Sequence, residues 1–168
     1  MDAFLPYMAG FFDGEGYVYL QKVNRNHAYS LWVVVSNTNQ EPLRLMKERW
    51  GGHLAYVKRH NLIQRDIYRL FISTNNAIRF LEEVLPYLII KKPQAELALE
   101  FDIHVKDFKR RYRHVKGKKG IQPLPPEAAS IRDDFVQRMK NLNRRGRVLE
   151  VEQVEESTLL ATGLSITE

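Results

Sequence analysis

Leu5-Pro6-Tyr7-Met8-Ala9-Gly10-Phe11-Phe12-Asp13-Gly14-Glu15-Gly16-Tyr17-Val18-Tyr19-Leu20 passes from a helical pattern into a strand pattern. It opens as an apolar helix, with Pro6 in a first turn, where its missing N–H costs little. Ala9 and Gly10 are small and mid-helix, and Gly there is unfavourable by roughly 1 kcal/mol against Ala. Close approach of another backbone is one reason to accept that cost. The helix runs into two carboxylates and two glycines, Asp13 to Gly16. After Gly16 the period falls to two, with Val18 and Leu20 alternating with Tyr19, Gln21 and Val23.

The pattern repeats outward. Asn24 to His27 reads as a polar turn, and Tyr29 to Ser36 as a strand rich in β-branched and aromatic residues. Asn37-Thr38-Asn39 offers helix caps before a helix that carries Leu43, Met46 and Trp50 and stops at Gly51-Gly52. His53 to His60 and Leu62 to Ile72 read as two further strands joined near Asn61. Ser73 to Asn75 caps a helix bearing Ile78, Leu81, Val84 and Leu85, and Lys91-Lys92-Pro93 opens another. A last helix over Glu127 to Leu142 places Ile131, Phe135, Met139 and Leu142 on one face. Hairpins with helices between them give an α+β class with an antiparallel sheet.

The 168 residues suffice for one sizeable domain, and there is no cysteine. That excludes disulfides, thiolate metal sites and a Cys nucleophile, and it fits an intracellular, reducing setting of unspecified compartment. No apolar run is long enough for a membrane span. The formal charge is +6, and Glu150, Glu152, Glu155, Glu156 and Glu168 in a tail without Lys or Arg leave the first 149 residues at +11. So basic a region is a candidate for a polyanion partner. The expected organisation is one domain over 1–149, with a core at about 5–105 and a basic extension at 106–149. An acidic, loosely held tail follows at 150–168.

Met8 to Gly16 resembles the name-giving motif of the LAGLIDADG homing endonucleases. Asn37 after the second strand and Leu85-Pro86-Tyr87-Leu88-Ile89-Ile90-Lys91 extend the resemblance over roughly 5–105. It implies an αββαββα fold with a saddle-shaped sheet, here with additional C-terminal helices. Relatives with one motif pair as homodimers, and this chain has one. The motif helix is then the dimer face, and Tyr7, Ala9, Gly10 and Phe11 are its expected contacts.

The resemblance implies a site-specific double-strand DNA endonuclease with Mg²⁺ as cofactor, for which Mn²⁺ can substitute. Its target is long and near-palindromic, and the cuts leave short 3′ overhangs. Glu15 matches the essential acid and metal ligand, and the Gly14 carbonyl a second ligand. Hard oxygen donors suit Mg²⁺. Asp13 matches the first motif acid, with backbone N–H acceptance at the turn as its other reading. Asn37 matches a water-positioning residue, or else caps a helix. Lys91 matches a base beside the scissile phosphate, or else is a solvated lysine. Glu41 or a neighbour departs from relatives that carry a basic group there.

Alternation selects the residues for a β-ribbon in the major groove. Tyr19, Gln21, Val23, Arg25 and His27 face out in the first hairpin, with Ser30, Trp32 and Val34. In the second hairpin Tyr56, Lys58 and His60 face out while Ala55 and Val57 face in. Arg65, Ile67 and Arg69 take the DNA side of the fourth strand, the opposite parity being open. Lys109, Arg110, Arg111, Arg113 and Lys116 suit sequence-independent phosphate contacts. No small-molecule substrate or membrane partner is expected. The alternative is a member that binds without cutting, as an RNA splicing maturase or a DNA-binding regulator.

Overall fold

In a computed structural model, residues 3–23, 28–59, 65–112 and 124–144 are described. Helix α1 (Phe4–Glu15) leads into strands β1 (Gly16–Val23) and β2 (Ala28–Asn37). Helix α2 (Glu41–Trp50) follows, then β3 (His53–Val57) and β4 (Ile67–Ser73). Helix α3 (Thr74–Val84) and a 3₁₀ turn at Leu85–Tyr87 precede α4 (Lys92–Tyr112) and α5 (Pro126–Leu142). The expected αββαββα order is present, followed by two further helices, α4 and α5. The second hairpin is shorter than expected, because β3 ends at Val57 and β4 begins at Ile67.

The sheet is antiparallel throughout, in the order β1-β2-β4-β3. Alternation gives it two unlike faces. Val18, Leu20, Leu31, Val33, Val35, Leu70 and Ile72 point into a core shared with the helices. Helix α1 contributes Met8, Ala9 and Phe12 to that core, and α2 contributes Leu43, Met46 and Trp50. The Phe80 ring meets Phe12 and Trp50 edge-on, and Phe4 stacks on Trp50. Side chains this large dominate the apolar area removed from water, at about 25 cal/mol per Å².

Two glycines turn α2 into β3, with φ of 75° at Gly51 and 111° at Gly52. A Cβ at Gly52 would lie 2.5 Å from the Phe71 carbonyl oxygen. Helix α5 covers the outer edge of β1. The Asn143 side-chain amide donates to the Val18 carbonyl at 2.7 Å, and Lys22 pairs with Asp133 at 2.7 Å. An edge strand so covered is blunted against pairing with other chains.

Helix α5 departs from its expected face. It buries Ala128, Arg132, Phe135, Val136 and Met139 and leaves Ile131 exposed. Among the described residues no helix is long and apolar enough to cross a membrane.

Candidate functional site

The motif acids end α1 and part company there. Asp13 is buried, and its carboxylate is fully engaged. One oxygen accepts from the Lys91 backbone N–H at 2.8 Å. The other accepts from Ile89 at 2.8 Å and Ile90 at 3.2 Å. Asp13 thus does accept backbone N–H groups, but from the segment that opens α4 rather than from its own turn. The Lys91 ammonium donates back to the Asp13 carbonyl.

Glu15, by contrast, is exposed as the last residue of α1. A carboxylate at a helix C-terminus meets the negative end of the macrodipole, a cost of a few tenths to about 1 kcal/mol. No basic residue in that last turn offsets it. The relief comes from outside the helix. Lys91 is half-buried, and burial holds its pKa below the ordinary 10.5, while the charges of Asp13 and Glu15 pull it back up. Phe12 walls the ammonium, whose nitrogen lies 5.9 Å from the ring centroid. Gly16 is needed for space here, since a Cβ would fall 2.0 Å from the Phe12 ring.

Asn37 lies two residues past Val35, the partner of Gly16, and so at the same end of the sheet as Glu15. Its side-chain oxygen accepts from the Asn39 backbone N–H at 2.8 Å, and Asn39 in turn accepts from Glu41 N–H at 3.0 Å. This is local turn chemistry, which leaves the Asn37 amide nitrogen for other partners.

Among the described residues no group of three or more His, Asp or Glu could hold a metal. One chain brings the Glu15 carboxylate and the Gly14 backbone to this corner. These are hard oxygen donors of the kind Mg²⁺ takes, but only part of a coordination shell. The outer surface of α1 is open beside this corner. Tyr7, Gly10 and Gly14 lie along it, exposed, and Tyr7 stacks on Phe11. A Cβ at Gly10 or Gly14 would meet nothing within 4 Å. Among the described residues nothing crowds either position. Ala9 is a correction to the expected dimer contacts, because it is fully buried on the opposite side of α1 against the chain's own core. Ile89 and Ile90, exposed beside Asp13, were not expected there.

The uncovered sheet face is the second part of the site. Tyr19, Gln21, Val23, Ser30, Trp32, Ile67 and Arg69 all project from it, as alternation leads one to expect. Tyr17 and Phe71 belong to it as well, though the sequence reading passed over them. Tyr17, Tyr19 and Trp32 form a row of stacked rings. Arg69 donates to the Ser36 hydroxyl at 3.1 Å and lies over the Phe71 ring, which aims its guanidinium along the face.

Two corrections concern this face. Val34 points outward but is fully buried, because its strand partners there are Tyr17 and Phe71. Tyr56 has the wrong parity. It pairs with Tyr68 on the helix side, next to the Leu54–Leu70 pair, and its hydroxyl donates to Asp66. The outward residues of β3 are His53, Ala55 and Val57, opposite Phe71, Arg69 and Ile67. Leu54 sets this phase, since it must meet Leu70 in the core.

Lys58 and Arg65 are exposed just outside the shortened strands. Lys109, Arg110 and Arg111 are exposed in the last turn of α4, where Asp107 pairs with Arg110 at 2.7 Å and also with Arg111. Arg25, His27, His60, Arg113, Lys116 and the acidic tail lie outside the described residues.

The fold and site define a class: an α+β domain with one open, aromatic sheet face and an acidic helix end at its margin. Residues 4–85 match the family model of the LAGLIDADG-like domain. Residues 4–85 are thus a LAGLIDADG-like domain, with a single copy of the motif in the chain. Among solved structures it is similar to the archaeal intron-encoded homing endonuclease I-Vdi141I complexed with DNA. The TM-score is 0.61 at 14% identity, over 94% of this chain and 92% of that one. It is also similar to the homing endonuclease I-CvuI in complex with its target in the presence of 2 mM Ca. There the TM-score is 0.53 at 19% identity, over 81% and 94%. Against meganuclease I-SmaMI bound to uncleavable DNA the TM-score is 0.54 at 14% identity, over 86% of this chain but 45% of that one. These likenesses establish the fold. No curated protein sequence matches the chain significantly.

Proposed function

We propose that this protein is a divalent-metal-dependent endonuclease that cuts both strands of a long, near-palindromic DNA site as a homodimer. The observation that carries the reading is Glu15, an exposed carboxylate kept at a dipole-disfavoured helix end beside the half-buried Lys91. The LAGLIDADG-like domain and the DNA complexes of its structural neighbours support it.

In this reading two α1 helices meet along Tyr7, Gly10, Phe11 and Gly14, where the bare glycines let the backbones approach. Ile89 and Ile90 lie alongside. The match spans 45% of the I-SmaMI chain, which fits one chain supplying half of such an assembly. The two-fold symmetry brings the two Glu15 carboxylates together, and like charges so placed need cations between them.

Glu15 and the Gly14 carbonyl are the groups that would hold Mg²⁺ or Mn²⁺. The ion supplies an activated water and charge stabilisation at the leaving oxygen. The chain's own residues do the rest. Lys91, with Asp13 gripping its backbone, presents its ammonium to the phosphate that is cut. The Asn37 amide nitrogen orients solvent. Arg69 and Gln21 read base edges from the open face, Tyr19 and Trp32 pack against the groove, and Lys109 to Arg111 contact phosphates. Staggered cuts across the minor groove leave short 3′ overhangs.

The test is cleavage of a randomised duplex library by the pure protein, with Mg²⁺ or with EDTA. Mg²⁺-dependent enrichment of one near-palindromic cut site is the expected result. Binding of a discrete duplex without cutting would instead make it a regulator.

A further inference from the structure

The strongest feature outside the Glu15 site is Arg132 on α5. It is 8% exposed, whereas its neighbour Ile131 is 47% exposed. The guanidinium lies over the Phe108 ring at 5.1 Å and the Tyr29 ring at 5.9 Å. Among the described residues no carboxylate or carbonyl accepts from it, and its Nε is buried without a partner. A buried cation is costly unless paired, and ring faces recover only part of that cost. Burial accordingly pulls its pKa below the ordinary value, with partial relief from Tyr29.

Arg132 lines a cleft of about 300 Å³ between α4, α5, β2 and the start of α3. Leu31, Ile78, Phe101 and Val105 give the cleft an apolar floor. Its rim carries Thr74, Asn75, Asp102, Lys106 and Lys109. Lys106 is bound to Asp102 at 2.6 Å, which leaves the charges of Arg132 and Lys109 without a compensating carboxylate in the lining. The 11-residue α3 begins here, and its Ser73 cap makes no side-chain hydrogen bond. First-turn N–H groups with no capping side chain favour an anion. The cleft is remote from Glu15: Tyr29 and Leu31 lie toward the start of β2, whereas Gly16 pairs with Val35.

We propose that this cleft is an anion site that takes a phosphate group, held by Arg132, Lys109 and the first turn of α3. A guanidinium fork and free helix N–H groups match phosphate oxygens in geometry as well as charge. The apolar floor leaves room for the body of a phosphate ester.

The experiment is isothermal titration of inorganic phosphate into the full-length chain, at constant ionic strength in a phosphate-free buffer. Saturable binding is expected, weakened roughly tenfold or more by Arg132→Gln. Lys109→Gln, an exposed substitution, should weaken it several-fold while leaving the fold intact, so the test survives a poorly folded Arg132 variant. Adenosine monophosphate binding more tightly than inorganic phosphate would support a small phosphate ester as the natural ligand. A short duplex that displaces phosphate would support a DNA backbone phosphate. An adventitious ion only, seen as absence of saturation or as equal binding by wild type and both variants, would overturn the site.

Discussion

Asp13 and Lys91, far apart in the chain, hold each other in both directions. The Asp13 carboxylate accepts the Lys91 backbone N–H at 2.8 Å, and the Lys91 ammonium donates to the Asp13 carbonyl. One residue of the motif therefore fixes the segment that leads into α4, and that segment returns a cation to the motif.

Asp13→Ala should leave the N–H groups of Ile89, Ile90 and Lys91 without their acceptor. Donors left without a partner cost about 1–3 kcal/mol each where water cannot replace it, and less at the exposed Ile89 and Ile90. We expect a loss of about 2–4 kcal/mol in urea unfolding and a lower cleavage rate, since Lys91 loses its anchor. Unchanged stability would remove Asp13 from this role.

The glycines of α1 separate folding from association. Gly16→Ala drives a Cβ into the Phe12 ring and should destabilise the chain by about 1–3 kcal/mol. Gly10→Leu meets open space within the chain and exchanges a poor helix former for a good one. Its unfolding midpoint should hold or rise at low protein concentration, while sedimentation equilibrium should show monomer under conditions where the proposed wild-type dimer forms. A Gly10→Leu protein that remains dimeric would place the interface elsewhere.

Lys91 gives a pH prediction of definite sign. Burial lowers its folded-state pKa below 10.5, so its charged form opposes folding. The unfolded chain binds more protons between the two values, and stability attributable to Lys91 should rise with pH across that window. Glu15 is one of the charges that raise the Lys91 pKa. Glu15→Gln should therefore move it further down, as read by NMR titration of the lysine Cε. A rise would mean that the two charges do not face each other.

The corrected parity of β3 makes a paired test. Ala55→Glu introduces a carboxylate on the open face opposite Arg69 and should weaken duplex binding by tenfold or more. Tyr56→Phe changes a side chain on the helix side and should leave binding unchanged. Arg69→Ala should cost about 1–3 kcal/mol of discrimination at one base position, with little change in salt dependence.

Much of this was legible in the sequence because period carries burial. The helix of the opening motif and the first hairpin follow from alternation that admits one phase, whereas the fourth strand admits two, and the pairing of Arg69 with Ser36 chooses between them. His53 to Val57 admits two, since Leu54, Ala55 and Val57 are all apolar, and only contact with Leu70 chooses between them. Tyr17 was passed over because it sits at the boundary between helical and strand periods. The partners of Asp13 lie 76 to 78 residues away, a distance that no local pattern spans. Arg132 defied its own chemistry, as a charged residue buried where the neighbouring Ile131 was expected.

The most direct test of the central claim compares wild type with Glu15→Gln on one duplex carrying the selected site, measuring binding and strand cleavage separately. We expect the variant to bind with a Kd within a few-fold of wild type and to cut neither strand in Mg²⁺. Cleavage by Glu15→Gln at the wild-type rate would contradict the assignment of Glu15 as the metal-holding acid.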